Sequence, residues 1–159
     1  MPIKKSEISY KVDLSKEMKE KGVTGVENRT KAAEAAGEVA LSGIYEAVSQ
    51  EMSPVNRMRG FKGLNEEYKK FKRKQGKGSK ANLELTGSML NSLSVKANSR
   101  GFTIEIEDDD ELEKSYNHNV GDTLPRRQFL PDDVRGQKLK PGIRKAYLKM
   151  LEEYKNAKK

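Results

Sequence analysis

The stretch "SVKANSRGFTIEI", residues 94–106, limits the fold of this chain more than any other. Val95 and Ala97 alternate with polar neighbours, a turn runs from Asn98 to Gly101, and Phe102, Ile104 and Ile106 alternate again. A period of two on both sides of a Gly-containing turn is the pattern of an antiparallel β-hairpin with one buried face. The same period recurs in "EISYKVDL", where Ile8, Tyr10, Val12 and Leu14 occupy every second position and predict an N-terminal strand. Residues 15–27 are rich in Lys and Glu and contain Gly22 and Gly25, which reads as a solvent-exposed linker. The expected organisation is one domain over 1–159, with strand and flexible linker in 1–27 and the main body in 28–159.

Between the strands the period changes to that of a helix. "ENRTKAAEAAGEVALSGIYEAVSQEMSP" sets Ala33, Ala36, Ala40, Ile44 and Val48 on one stripe, flanked by Val39 and Leu41, with Pro54 as the expected stop. The small residues of this stripe, with Gly37 and Gly43, admit close approach of another element at a cost of about 1 kcal/mol per Gly in helix propensity. After a loop over 55–63, "LNEEYKKFKRK" predicts a short helix with Asn65 as N-cap, Glu66 and Glu67 in the first turn, and Tyr68 and Phe71 on one face. "QGKGSK" reads as a flexible loop; no strand precedes it and it has no Walker pattern, so it is a poor phosphate cradle. "LELTGSMLNSL" is amphipathic, and "KPGIRKAYLKMLEEYKNAKK" predicts a C-terminal helix with Pro141 in its first turn and Ile143, Tyr147, Met150, Leu151 and Tyr154 at helical spacing. Strands at both ends of a helical middle, with no alternating βαβ order, predict an α+β fold. A small antiparallel sheet, the N-terminal strand plus the 94–106 hairpin, would pack on a long helix, short middle helices and a C-terminal helix.

Composition narrows the chemistry. The chain has 159 residues, of which 34% are apolar and 35% charged, enough for one core with much solvent-facing or partner-facing surface. It has no cysteine and a single histidine, His118, which removes disulfides, thiolate nucleophiles and Cys-based zinc sites. No run approaches the roughly 20 apolar residues of a membrane span, and "MPIKKSEISY" lacks the apolar core of a secretory signal. The expectation is a protein that is intracellular when made, without membrane contact.

Charge is unevenly spread. The net charge is +8, residues 66–80 carry seven basic side chains against two acidic ones, and residues 107–113 carry six acidic side chains and none basic. A cationic pole of this kind suits a polyanion, with Lys69, Lys70, Lys72, Arg73 and Lys74, in the basic segment 69–80, as the expected contacts. Opposite poles equally suit head-to-tail contacts between identical subunits. The carboxylates of "EDDDE" are consecutive, so they point in different directions on any regular backbone and make a poor magnesium site for a nuclease.

The segment "KSYNHNVGDTLPRRQFLP", residues 114–131, holds His118 and two prolines around a Phe-Leu pair. Acid–base catalysis by His118 would need an orienting carboxylate and a nucleophile in a defined pocket, and no second histidine, cysteine or Gly-x-Ser-x-Gly elbow accompanies it. A turn-holding or contact role for His118 fits better. Pro125 and Pro131 restrict the backbone and predict an extended arm over 117–135 that projects Phe129 and Leu130 one way and Arg126 or Arg127 another. Such a strip suits an interface, with Pro125, Arg126, Arg127, Phe129, Leu130 and His118 as its residues, or Phe129 plugs the core of its own subunit.

The order of these segments resembles the virion-morphogenesis or tail-completion proteins of tailed bacteriophages. The resemblance covers about residues 60–135: Leu64 and Tyr68, then Thr86, Gly87 and Ser92, then His118 and Gly121, then Pro125, Arg127, Phe129 and Leu130. It implies a non-enzymatic virion component without a cofactor, which completes the tail at the neck so that it joins a DNA-filled head. It also implies work as a ring of identical subunits, often a hexamer, beside other neck or tail proteins. Such a protein would reside in the virion and, during assembly, in the host cytoplasm. A ring around the DNA path would give Lys69, Lys70, Lys72 and Arg73 a place facing phosphates. The competing class is a free nucleic-acid-binding protein that grips DNA or RNA without sequence preference through 66–80, with Tyr68 and Phe71 stacking on bases.

Overall fold

The hairpin and the N-terminal strand form one three-stranded antiparallel sheet of order β1–β3–β2, with β1 at Ser9–Asp13, β2 at Leu93–Asn98 and β3 at Gly101–Ile106. The computed structural model describes residues 8–58, 66–74, 91–108, 111–112, 115–116, 119, 128–131 and 136–157. The hairpin turn is closed by Asn98, whose Oδ1 accepts the backbone N–H of Arg100 at 2.8 Å and of Gly101 at 3.1 Å. That side chain mimics a backbone turn and sets the register in which Asn98 faces Gly101 and Leu93 faces Ile106. On the other side, Asp13 faces Gly101 and Ser9 faces Glu105. A Cβ at Gly101 would run into the Val12 carbonyl oxygen, so this position needs glycine for β1 and β3 to meet. Tyr10, Leu93, Phe102, Ile104 and Ile106 are buried, while Lys11, Asp13, Lys96 and Asn98 are exposed. The sheet is thus apolar on one face and polar on the other, as the period of two requires.

Helix α2, Val26–Ser49, covers the apolar face. All five residues of the predicted stripe are buried, with Ala32, Gly37 and Leu41 beside them. Two glycines set how closely α2 approaches its neighbours. A Cβ at Gly37 would lie 2.5 Å from Val95 Cγ1 and 3.0 Å from the Phe102 ring, and one at Gly43 would lie 3.0 Å from Ile143. Gly37 meets the sheet and Gly43 meets the last helix, so α2 is wedged between the two. The helix ends at Ser49, ahead of the expected stop at Pro54. Glu51 turns left-handed with φ 61°, and the N–H groups of Glu51 and Met52 return to the carbonyls of Val48 and Ala47, the paired bonds of a Schellman motif.

Two shorter helices follow different rules. Residues 15–27 do not form the expected linker: Ser15–Glu20 is helix α1, and its one buried side chain, Met18, together with Val23 belongs to the core. One apolar residue in six gives no helical period, yet burying a Met side chain is worth about 1.5–3 kcal/mol, enough to pin a single turn and a half. Helix α3, Glu66–Lys74, forms where it was expected. The amphipathic stretch 83–90 and the loop 75–80 lie outside the described residues.

The C-terminal helix α4, Pro141–Ala157, packs along α2 and touches α1. Tyr147 and Leu151 are its buried anchors, and the Tyr147 ring meets Phe102 edge to face at 5.5 Å. Ahead of α4, Val55 and Leu139 form an isolated antiparallel bridge, with Asn56 N–H donating to Lys138 O at 2.7 Å and Lys140 N–H to Pro54 O at 2.8 Å. This bridge ties the end of α2 to the start of α4.

Candidate functional site

Three places combine polar chemistry with a defined position. The first is the end of the arm predicted over 117–135. Asn119 is buried, and its Oδ1 accepts the N–H of Phe129 at 2.9 Å and of Leu130 at 3.0 Å, while its Nδ2 donates to Leu130 O at 3.1 Å. Gln128 adds a second donor to Leu130 O at 2.9 Å and bonds Gln137 Oε1 through the same nitrogen. The Ser53 hydroxyl donates to Gln128 O at 2.6 Å and accepts from Val55 N–H at 3.2 Å. One amide side chain thus serves three backbone groups that water cannot reach, and the bridge strand at Val55 is bound into the same network. Its members are amides and a hydroxyl, so it fixes geometry and moves no proton.

Phe129 and Leu130 have 0% of their surface exposed and belong to the chain's own core. Of the two roles left open for Phe129, the plug within its own subunit is the one realised. Neither side chain offers surface to a neighbour, because the Asn119 clamp turns this backbone inward. His118, Pro125, Arg126 and Arg127 lie outside the described residues.

The second place is α3. Lys70, Arg73 and Lys74 are exposed, and their spacing of three and four puts them on one stripe. Phe71 is 47% exposed beside them. Lys69 and Lys72 belong to the same helix, but their side chains lie outside the described ones. Like charges at this spacing repel by a few tenths of a kcal/mol per pair, a cost that a polyanion laid along the stripe would remove.

The third place was not anticipated from the sequence. A cleft of about 320 Å³ runs between the edge of β1 and the first turns of α4 and contains Lys11, Asp13, Glu17, Lys138, Arg144 and Tyr147. The consecutive residues Tyr10 to Leu14 all line it. Their side chains alternate between faces, so what they share is the strand edge, which no other strand covers among the described residues. The Asp13 carboxylate accepts from the Ser15 N–H and hydroxyl and faces Arg100 at 3.4 Å; these bonds hold its pKa below the ordinary carboxylate value despite slight desolvation. Burial pushes the Tyr147 phenol above its ordinary value, against the pull of a hydrogen bond and charge from Arg144. No periodic pattern could have announced this cleft, since it joins residues more than 120 positions apart.

Among the described residues no group of three or more His, Cys, Asp or Glu side chains could hold a metal ion. Among them also, no helix is long and apolar enough to cross a membrane. Compared with profiles of known protein families, with curated proteins and with solved structures, the chain matches none.

Proposed function

We propose that this chain is a structural component of a tailed-phage virion, a tail-completion or head–tail connector protein that works as a ring of identical subunits. The observation that carries the reading is the segregation of charge between two elements of the chain. Lys70, Arg73 and Lys74 are exposed along α3, and Glu107 and Asp108 are exposed where β3 ends. Complementary charged surfaces on one chain favour head-to-tail association over a symmetric pair. The motif order from Leu64 to Leu130 supplies the phage assignment, and the Asn119 clamp is consistent with it in joining the residue after His118 to the Phe-Leu pair. In a ring around DNA, the α3 stripe would line the lumen and neutralise phosphates without reading sequence.

Mass measurement of the purified protein, with electron microscopy of particles lacking it, tests the reading. The expected outcome is a closed assembly and particles whose tails fail to join heads; a permanent monomer together with complete particles would overturn it. Replacing Lys69, Lys70, Lys72 and Arg73 by Glu tests the lumen, with reduced DNA retention expected and unchanged infectivity as the opposing result. A second reading, a free nucleic-acid binder, is favoured by one observation: Phe71 stands exposed among cations, as a base-stacking residue would. A salt-dependent gel shift by a protein that never assembles would favour it.

A further inference from the structure

The cleft beside β1 and the acidic end of β3 lie at different ends of one sheet. Val12, in the middle of the cleft lining, faces Phe102, whereas Glu107 follows Ile106. Five residues at about 3.4 Å each put about 17 Å along the strand between Glu107 and the middle of the cleft, and three residues, about 10 Å, separate Glu107 from the nearest lining residue, Tyr10, which faces Ile104. The β1 edge and the end of β3 are thus set apart along the sheet of one copy, and a second copy can bring them together. The signs are nevertheless complementary. Lys11, Lys138 and Arg144 line the cleft against Asp13 and Glu17, and Asp13 already has Arg100 as counter-ion. Glu107 has an exposed pairing with Lys96 at 3.5 Å, a contact weak enough to be shared with a second cation.

We infer that the Glu107–Asp108 end of one copy docks in the β1–α4 cleft of the next, its carboxylates against Lys138 and Arg144. This rests on the subunit-ring reading and adds to it the two surfaces that meet. Because the surfaces differ, the contact is heterologous, and its repetition closes a ring or extends a filament without producing a two-fold dimer.

Two charge reversals in the full chain test the contact. Lys138→Glu with Arg144→Glu makes the cleft acidic, and Glu107→Lys with Asp108→Lys makes the strand end basic. Each variant alone carries like charges on both surfaces, whereas a mixture of the two regains complementary pairs at every contact. Sedimentation is expected to find the wild type assembled beyond a dimer, each variant monomeric with an unchanged circular-dichroism spectrum, and the equimolar mixture assembled again. Should the cleft variant fail to fold, the strand-end variant, altered only at exposed positions, decides the question through its own loss of assembly. Variants that assemble like the wild type, or a mixture that stays monomeric, overturn the contact and leave the ring reading standing. A wild type that is monomeric at every concentration overturns both.

Discussion

Asn119 is the residue whose loss should cost most for its size. Removing its side chain leaves the N–H groups of Phe129 and Leu130 buried without their acceptor, while Leu130 O keeps Gln128. At about 1–3 kcal/mol for each stranded group, Asn119→Ala should lower stability by about 2–6 kcal/mol in urea unfolding, whereas Asn119→Asp, which keeps the acceptor oxygen, should lose less. Arg57 offers the opposite case, an exposed side chain at φ 70°, where a Cβ crowds the following carbonyl. Arg57→Gly should raise stability by about 0.5–1 kcal/mol, the left-handed penalty less the extra freedom of glycine in the unfolded chain. Tyr147 titrates rather than strains. Its phenol is held above the ordinary value by burial, so the folded chain keeps that proton longer than the unfolded one. Its contribution is therefore complete below about pH 10 and lost as pH rises through the raised folded value. Tyr147→Phe should give a shallower fall in the urea midpoint between about pH 9 and 11, with Tyr45, also raised by burial, accounting for part of what remains. Equal slopes in both proteins would contradict this assignment.

Elements show why some of this fold was legible and some was not. The hairpin and α2 announced themselves because each repeats one spacing over many residues: Phe102, Ile104 and Ile106 on the strand, and Ala33 through Val48 on the helix, all buried. Helix α1 has only Met18 to bury, so no spacing could be read from it. The Val55–Leu139 bridge pairs residues far apart in sequence through backbone groups, which carry no residue-type signal, and the Asn119 clamp joins one amide side chain to backbone groups ten and eleven residues on, with no repeated spacing to mark it. The small-residue stripe predicted close packing, but only the structure assigns Gly37 to the sheet and Gly43 to α4. That assignment makes Gly37→Ala informative. Although Ala favours a helix by about 1 kcal/mol, its methyl would collide with Val95 Cγ1 and press on the Phe102 ring. Overpacking of about 1–3 kcal/mol should win, giving a net loss of stability. The truncation Val95→Ala made together with Gly37→Ala should recover part of it, because the two changes share one contact.

At the scale of the whole molecule, the position of Phe129 and Leu130 bears on how folding and assembly are related. Had these side chains inserted into a neighbour, each isolated subunit would carry a hole in its core and an exposed apolar pair, and folding would depend on subunit concentration. Instead they pack with Phe102, Ile104, Leu139 and Leu151 inside one chain. The groups inferred to meet in assembly, Lys138 and Arg144 with Glu107 and Asp108, are charged, and none of them belongs to that core. Folding should therefore be complete before any ring forms. In dilute solution, below the onset of assembly, the thermal midpoint should stay constant across a tenfold change in protein concentration. It should rise only where sedimentation detects the assembled form, and added salt, which screens the charged contact, should lower it there. A midpoint that climbs with concentration from the most dilute samples upward would mean that the subunit core is finished by its neighbour.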